Sequence, residues 1–462
     1  MKFNKKIRSK NCKKMKKSKF KLLAVLFTAL VIGITSCSKD DDIEEEQGQD
    51  EFTIIDNGNG TGTTTWKTGE TYFLEGFVYV NEGQTLTIEP GCVIKGKPGQ
   101  GENASALIVA RGAKILAEGT AESPIVFTAK ADDLNGSVSV TDRGLWGGLI
   151  VLGKAGLNST PGESQIEGIP TNEPRGRYGG DDDTDNSGIV KYVSIRHGGT
   201  DIGSGNEING LTLGGVGSAT EIDYVEVIAN KDDGVEFFGG APQLKHILVA
   251  YVGDDSFDYD EGFRGKGQFW CAIQDPNEGD RLGEHDGGTD PETGNPYAIP
   301  TIYNATYFGR GSDAGKRTIT FRDNAGGHYL NSIFTNQTKG IDIENLPDAQ
   351  DSYKQFADGN LSLKNNVFWD VADGTAAGIF KVSGPGADVG DSTSAMQAFV
   401  AHFETANNVV ANPGISKSNP VPSNPQTENL APYNGSWYEV VDYKGAFGSE
   451  NWAAGWTKYF SE

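Results

Sequence analysis

Two short acidic segments carry the residue types best suited to chemistry in this chain. Residues 230–236 read Asn-Lys-Asp-Asp-Gly-Val-Glu, and residues 252–258, which begin 22 positions later, read Val-Gly-Asp-Asp-Ser-Phe-Asp. At this offset the acidic positions of the two segments align. The six carboxylates are those of Asp232, Asp233, Glu236, Asp254, Asp255 and Asp258.

These carboxylates predict a calcium site. Residues at equal positions in neighbouring strands lie roughly 4.8 Å apart. Like charges at that spacing raise one another's pKa or bind a cation, and oxygen ligands of this kind suit Ca²⁺. Asp and Gly are also ordinary turn residues, so a solvated acidic turn without metal fits the same sequence. A catalytic centre is the third interpretation.

The apolar residues between the carboxylates repeat at the same offset. Val235 aligns with Phe257, and Phe237 aligns with Tyr259. Two stacked turns of a solenoid produce this pattern, because equal positions in adjacent turns pack against each other. The acidic residues are therefore expected at one corner of a repeating coil.

The chain before the acidic segments consists of short apolar runs separated by Gly or Pro. Runs of three to five apolar residues with single turn residues between them indicate short strands. The clearest runs are Gly76–Val80, Gln84–Gly91, Cys92–Gly96, Ala106–Gly112, Lys114–Thr120 and Ser123–Thr128. The predicted fold class is all-β.

Several of these phrases resemble a known family. Leu86-Thr-Ile-Glu-Pro-Gly91, Leu107-Ile-Val-Ala-Arg-Gly112 and Pro124-Ile-Val-Phe-Thr128 are similar to phrases of right-handed parallel β-helix proteins of the pectin-lyase-like superfamily. The resemblance implies a right-handed parallel β-helix with long loop excursions and an aromatic carboxyl-terminal cap on the last turn. It does not fix a function, because the same coil carries lyases, hydrolases, adhesins and spacers.

Composition and charge limit the class of partner. The chain has 63 Gly and 3 Met in 462 residues, which favours strands and tight turns over helices. Residues 1–36 carry 11 Lys or Arg and no acidic residue, so the remainder has 29 basic and 63 acidic residues, a net charge of −34. Nucleic acid is excluded as a partner at that charge. Cys92 and Cys271 are expected to be buried free thiols.

The first 36 residues predict a targeting signal. A Lys-rich run precedes the apolar segment 22–34, which is too short to span a bilayer and ends in Ile-Thr-Ser-Cys. It resembles a lipoprotein signal, in which Cys37 takes diacylglycerol and fatty-acyl chains such as palmitate. The acidic segment 37–52 resembles the surface-export tether of Bacteroidota lipoproteins. We therefore expect a lipid-anchored protein on the outer membrane, exposed at the cell surface.

Residues 53–462 are predicted to form one β-helix domain with loops near 154–188, 274–316 and 383–430. Long loops on a solenoid commonly bind ligands. Tyr303 and Tyr307 are candidate sugar-stacking residues, although aromatic residues also anchor loops. Arg264 is a further candidate for ligand binding. The aromatic stretch from Tyr443 to Trp456 is the predicted cap.

Three functions fit these observations. The first is a surface binding or scaffold module for a polysaccharide or an outer-membrane protein complex, with calcium at the acidic corner. The second is an enzyme: either a calcium-dependent polysaccharide lyase, with Arg264, Lys266 or Arg281 as the base, or a glycoside hydrolase with a carboxylate pair. The third is a structural accessory subunit. The acidic charge opposes a uronate substrate, so binding is favoured.

Overall fold

The computed structural model describes residues 52–203, 206–346, 350–384 and 389–461. Residues 49–462 form one compact unit. The predicted signal segment 1–36, the predicted lipidation residue Cys37 and nearly all of the predicted tether 37–52 lie outside the described residues.

The described residues form 32 strands and three α-helices. The first strands are β1 (Thr53–Ile55), β2 (Thr64–Trp66), β3 (Thr71–Glu75), β4 (Phe77–Val80), β5 (Thr85–Ile88), β6 (Val93–Gly96), β7 (Ala106–Val109), β8 (Lys114–Glu118), β9 (Ile125–Ala129), β10 (Leu149–Leu152), β11 (Glu163–Gln165) and β12 (Arg177–Gly179). The middle strands are β13 (Gly188–Arg196), β14 (Asp201–Gly203), β15 (Asn206–Glu207), β16 (Leu211–Gly214), β17 (Glu221–Ile228), β18 (Val235–Phe238), β19 (Gln243–Ala250), β20 (Phe257–Asp260), β21 (Lys266–Ile273) and β22 (Gly283–Asp286).

The last strands are β23 (Thr301–Tyr303), β24 (Thr306–Gly311), β25 (Arg317–Arg322), β26 (Gly327–Leu330), β27 (Ile333–Gln337), β28 (Lys339–Glu344), β29 (Leu361–Lys364), β30 (Val367–Val371), β31 (Phe380–Ser383) and β32 (Val409–Val410). The helices are α1 (Ser352–Ala357), α2 (Ala376–Ile379) and α3 (Val389–Thr405).

The strands form three parallel ladders, which are the three faces of a β-helix. The first face runs through β2, β5, β8, the first halves of β13, β17, β19 and β21, then β23, β26 and β29. The second face runs from β1, β3, β6 and β9 through the second halves of β13 to β21, then β24, β27, β30 and β32. The third face runs through β4, β7, β10, β16, β18, β20, β22, β25, β28 and β31. This confirms the predicted parallel β-helix.

The coil interior is a continuous apolar core. Alternate residues of each strand point inward, as the twofold period of a strand requires. Aromatic rings stack from rung to rung inside it: Trp270 lies 4.6 Å from Phe257 and 5.6 Å from Phe237, measured between ring centroids. Such stacking holds successive turns in register. Cys92 and Cys271 are free and buried, as predicted.

A row of left-handed residues forms the corner between the first and second faces. The seven residues have φ between 47° and 60° and are Tyr192, Tyr224, His246, Phe269, Asn304, Asn331 and Asn365. Asn tolerates this conformation, whereas an aromatic residue there is strained by about 1–2 kcal/mol. Stacking offsets that strain: Tyr224 lies 4.4 Å from Tyr192 and 4.1 Å from His246.

The aromatic carboxyl-terminal segment lies at a different place from the predicted one. Residues 411–461, here called the strap, run along the corner row and the second face instead of across the last turn. The side-chain Nδ2 of Asn365 donates to the Asn429 carbonyl, and that of Asn304 donates to the Tyr443 carbonyl. Farther along, the backbone N–H groups of Lys458 and Tyr459 donate to the Glu226 carboxylate. The corner row supplies both the stacking surface and the hydrogen bonds that hold the strap there.

Helix α3 covers the end of the coil. Phe399 and Phe403 from this helix join the interior core and pack against Phe380 and Phe368 of the last turn. The helix therefore shields the terminal rungs, whose edge would otherwise pair with other chains. The predicted loop 383–430 therefore contains a helix of 17 residues.

The loops differ in several places from the predicted ones. The loop 154–188 lies between β10 and β13 and contains the hairpin of β11 and β12. Residues 274–316 were predicted as one loop but contain β22, β23 and β24, one strand for each face. The many Gly, Pro and Asp residues around these strands concealed them in the sequence.

Candidate functional site

The outer surface of the third face changes from apolar to acidic along the coil. At one outward position, consecutive rungs carry Tyr79, Ile108, Ile150, Thr212, Glu236, Asp258, Glu284, Thr320 and Asp342. The apolar members Tyr79, Ile108 and Ile150 pack beneath Ile166, Ile169 and Tyr178 of the loop 154–188. The acidic members begin where this cover ends. We call the rungs β18, β20 and β22, with the turns before them, the acidic face.

Two overlapping groups of carboxylates lie on the acidic face. Oxygens of Asp232, Asp233 and Asp254 lie within 4.8 Å of one another, and so do oxygens of Asp233, Glu236 and Asp258. Ligands of one Ca²⁺ ion lie 2.3–2.6 Å from the metal, so opposite ligands are separated by about 5 Å. Each group is therefore close enough to share one cation. Five of the six predicted metal ligands are brought together.

The inner group is poorly compensated by hydrogen bonds. Glu236 accepts a short hydrogen bond from the Asn209 side chain. Oxygen Oδ1 of Asp258 is buried and has no hydrogen-bond partner among the described residues. Burial and neighbouring carboxylates raise the pKa of Asp233, Glu236 and Asp258 well above the usual range. A bound cation, or a shared proton, relieves this repulsion.

The outer group is more accessible. Asp254 is exposed, and Asp232 is half-buried. Burial, followed by the charges of Asp254 and Glu207, raises the pKa of Asp232 to about 7. This carboxyl group therefore changes charge near neutral pH.

Asp255, the sixth predicted metal ligand, belongs to neither group. Its Oδ1 accepts the backbone N–H of Arg281, and its Oδ2 lies 3.3 Å from the Arg281 guanidinium. Asp233 has a similar role on the preceding rung, where its Oδ1 accepts the Asp255 N–H at 2.8 Å. These side chains hold the turns of adjacent rungs together, and both oxygens of Asp255 are engaged with Arg281.

Two arginines border the acidic face. Arg281 contacts Glu284 at 2.8 Å as well as Asp255, and Arg322 contacts Asp286 at 2.7 Å and Glu284 at 3.0 Å. Burial still dominates at Glu284, whose pKa is raised despite both cations. The charges of the face are therefore balanced near β22 and unbalanced near β18 and β20.

Arg264 has a structural role instead of the predicted ligand-binding one. Its guanidinium donates to the carbonyls of Gly156 and Gly262 and pairs with Asp183. These bonds fasten the loop 154–188 to the coil. Lys266, proposed as a base beside it, belongs to the first face and so lies away from the acidic face.

Tyr303 and Tyr307 are not available for sugar stacking, which corrects the second ligand-binding prediction. Tyr307 is fully buried in the coil core, where its hydroxyl lies 3.3 Å from that of Tyr329. Tyr303 is 2% exposed and packs beneath Tyr433 and Tyr438 of the strap. The alternative interpretation of these aromatic residues, as anchors, applies to both.

Glu284 and Asp286 extend the acidic face and were missed as site residues. Glu284 pairs in register with Asp258 on the preceding rung, and Asp286 follows it two positions later in the same strand. The segments Asp258-Tyr-Asp260 and Glu284-His-Asp286 share an alternation of acidic and aromatic residues, which is the signal that could have found them. The offset of 26 residues, in place of 22, hid the repeat.

One comparison with known families matches most of the chain. The family description "Pectate-lyase like beta helix domain" matches residues 58–457, which is most of the chain. The chain belongs to this family. This pectate-lyase-like β-helix domain thus includes the acidic face and nearly all of the strap. Neither the curated proteins nor the solved structures contain a match to the chain.

None of the helices in the described residues of this β-helix protein is both long and apolar enough to cross a membrane.

Proposed function

We propose that this protein is a binding module displayed on the cell surface, with calcium held on its acidic face. The observation that carries the proposal is the inner carboxylate group, where Asp233, Glu236 and Asp258 lie within 4.8 Å of one another. No basic residue pairs with these three carboxylates among the described ion pairs. A divalent cation supplies the missing positive charge.

The face suits an extended ligand. Successive rungs repeat every ~4.8 Å, so acidic groups recur at a fixed spacing along the coil. Calcium bound there presents coordination positions to hydroxyl or carboxylate groups of a polymer. A polysaccharide or an outer-membrane protein complex is therefore the proposed partner.

The proposed location rests on the amino-terminal sequence. Cys37 follows an apolar segment and a small-residue stretch, which supports lipidation and anchoring to the outer membrane. The acidic tether that follows supports exposure at the cell surface. Metabolic labelling with a palmitate analogue, compared between the full chain and Cys37→Ala, tests this proposal.

A calcium-dependent polysaccharide lyase is the second candidate. One observation favours it: the Arg281 guanidinium lies between Asp255 and Glu284, beside the proposed calcium. An arginine base must be free to approach the substrate, whereas Arg281 is held by three carboxylates. Ultraviolet absorbance from unsaturated sugar products distinguishes this candidate from binding alone. Co-purification with an outer-membrane receptor, without glycan binding, supports a structural accessory subunit.

Calcium binding is tested by thermal unfolding after chelation. We expect added CaCl₂ to stabilise the wild-type protein by about 2.7 kcal/mol at 100 times the dissociation constant. Asp258→Asn combined with Glu236→Gln should abolish this gain. Asp313→Asn, which changes an exposed acidic residue outside both carboxylate groups, should retain it. An unchanged melting temperature in wild type contradicts the proposal.

A further inference from the structure

A second candidate binding site lies on the first face, where the strap crosses the coil. A cleft of about 320 Å³ is lined by Glu221, Asp223, Gln243, Lys245 and Trp437, with the turn 218–220 as one wall. The volume is within the range of small-ligand sites. This cleft is separate from the acidic face, because Glu221 and Gln243 belong to the first ladder.

The floor of the cleft comes from two rungs in register. Glu221 pairs with Gln243, and Asp223 pairs with Lys245. These residues point outward, because Ile222 and Leu244 between them are buried in the core. The floor therefore presents an acid and an amide at one position, and an acid and an amine at the next.

The aromatic wall comes from the strap. Trp437 is half-buried against Tyr303 and Tyr438, which fixes the position of its indole ring. The Lys245 ammonium lies 4.9 Å from the centre of this ring and 2.9 Å from the Glu439 carboxylate. The strap and the coil thus form the cleft together. The indole ring of Trp437 is held at the wall of the cleft and leaves its volume free.

Several polar groups in the cleft are available to a ligand. The indole N–H of Trp437 and the side-chain amide of Gln243 make no hydrogen bonds within the described residues. Asp223 uses Oδ1 to bind His246 at 2.8 Å, which leaves Oδ2. Glu221 is 53% exposed and only loosely paired with Lys191 at 3.5 Å. Donors and acceptors are therefore mixed around one fixed aromatic ring.

We propose that this cleft is a saccharide-binding subsite for one or two sugar rings. A sugar offers hydroxyl groups, which both donate and accept hydrogen bonds, and an apolar ring face that packs against an aromatic side chain. An apolar ligand would leave the carboxylates and the amide unpaired, at a cost in binding energy. The inference deepens the proposed binding role and rests on it for the class of ligand, but it does not require calcium.

Binding to a glycan array in the presence of a chelator tests the subsite. The full chain should bind neutral glycans, and Trp437→Ala or Glu221→Gln should weaken that binding at least tenfold. Trp369→Ala is the matched control, because Trp369 is a 40% exposed tryptophan outside the cleft. Trp437→Phe keeps an aromatic ring and so distinguishes loss of the ligand contact from loss of strap packing against the coil. We expect this variant to bind glycans about threefold more weakly, with an unchanged melting temperature.

Each result decides the proposal. Absence of binding to every glycan, or equal binding by wild type and Trp437→Ala, overturns it. Binding only to cationic glycans or basic peptides, lost in Glu221→Gln, also overturns it and assigns the cleft to cationic ligands. The calcium proposal fails separately, through an unchanged melting temperature on addition of CaCl₂, so the two failures are distinguishable.

Discussion

Individual carboxylates of the acidic face differ in role although the two segments that contain them have similar sequences. The two segments 230–236 and 252–258 offered six equivalent ligands, and the alignment of Glu236 with Asp258 is observed in the strand register. The sequence could not distinguish Asp255, because its role depends on Arg281, which is distant in the chain and adjacent in space. The burial of Tyr307 was hidden for a different reason. Its strand was predicted as part of a loop, and without a strand the sequence does not show whether a tyrosine points inward or outward.

The protein without calcium should become more stable as the pH falls from about 7 to about 4. Asp232 has a folded-state pKa near 7 against an ordinary value of 3.8, so the folded chain binds this proton more tightly than the unfolded chain does. The resulting stability is present below the ordinary pKa and is lost as the pH rises through 7. Chemical unfolding at pH 5 and pH 8 in chelator measures this difference.

Asp232→Asn is the control for the pH effect, since the amide does not titrate. This variant should show a smaller dependence on pH over the same interval. Equal pH dependence in the variant and the wild type would show that Asp232 is not responsible.

Tyr307→Ala should destabilise the protein by about 3–5 kcal/mol, because it leaves a cavity in the coil core. Its effect on glycan binding should be nil at temperatures where the variant is folded. Urea unfolding and the glycan array measure the two quantities. A specific loss of binding, with stability unchanged, would restore the original assignment of Tyr307 as a ligand contact.

Among the elements, the strap contributes contacts that no local pattern predicts. Its aromatic residues suggested a covering role, which they have, but their position depends on the corner row. Trp452 packs edge-on against Tyr224 and His246, and Trp456 packs against Tyr192. The left-handed corner residues are spaced irregularly in the sequence, because loops of different length intervene. Their alignment becomes visible only when the strands are stacked.

Glu226→Gln should loosen the far end of the strap. The Glu226 carboxylate is fully buried and accepts the N–H groups of Lys458 and Tyr459 together with the Ser194 hydroxyl. An amide replaces one acceptor with a donor that faces these N–H groups, at a cost of about 1–3 kcal/mol. Limited proteolysis should then cleave residues 448–461 faster than in wild type. Glu221→Gln, on the same strand but exposed, should be cleaved at the wild-type rate.

Across the molecule, the three faces of the coil differ in what covers their outer surfaces. The strap covers the second face, and the loop 154–188 covers the apolar region of the third face. The outer carboxylate group at Asp232 and Asp254 and the part of the first face around Glu221 stay accessible, and the candidate sites lie there. The coil itself was predictable, because short apolar runs recur with an offset of 22 residues. Which face carries which cover was not predictable from the sequence. Loops between β20 and β25 lengthen the offset between successive turns, so the 22-residue repeat can no longer be followed along the chain.

Phe399→Ala should expose the end of the coil and promote association. The buried ring of Phe399 joins α3 to the terminal rungs, so its loss should cost about 3–5 kcal/mol and free the helix. Uncovered strands pair with other chains. Light scattering should increase with protein concentration in this variant and not in Val440→Ala, which changes an 83% exposed residue of the strap. A monomeric Phe399→Ala protein would show that α3 is dispensable as a cover.

The position of the strap also sets an order of assembly. Coils built from neighbouring segments can form as the chain emerges, from the amino-terminal end onward. The corner at Tyr192 and Tyr224 cannot be closed then, because its partners, residues 452–459, are synthesised after every rung of the coil. Until they arrive, a row of aromatic rings remains uncovered. Folding of this protein therefore ends when residues 452–459 pack on the corner row. A chain interrupted before residue 452 would have a folded coil with exposed aromatic rings, which chaperones or proteases can recognise.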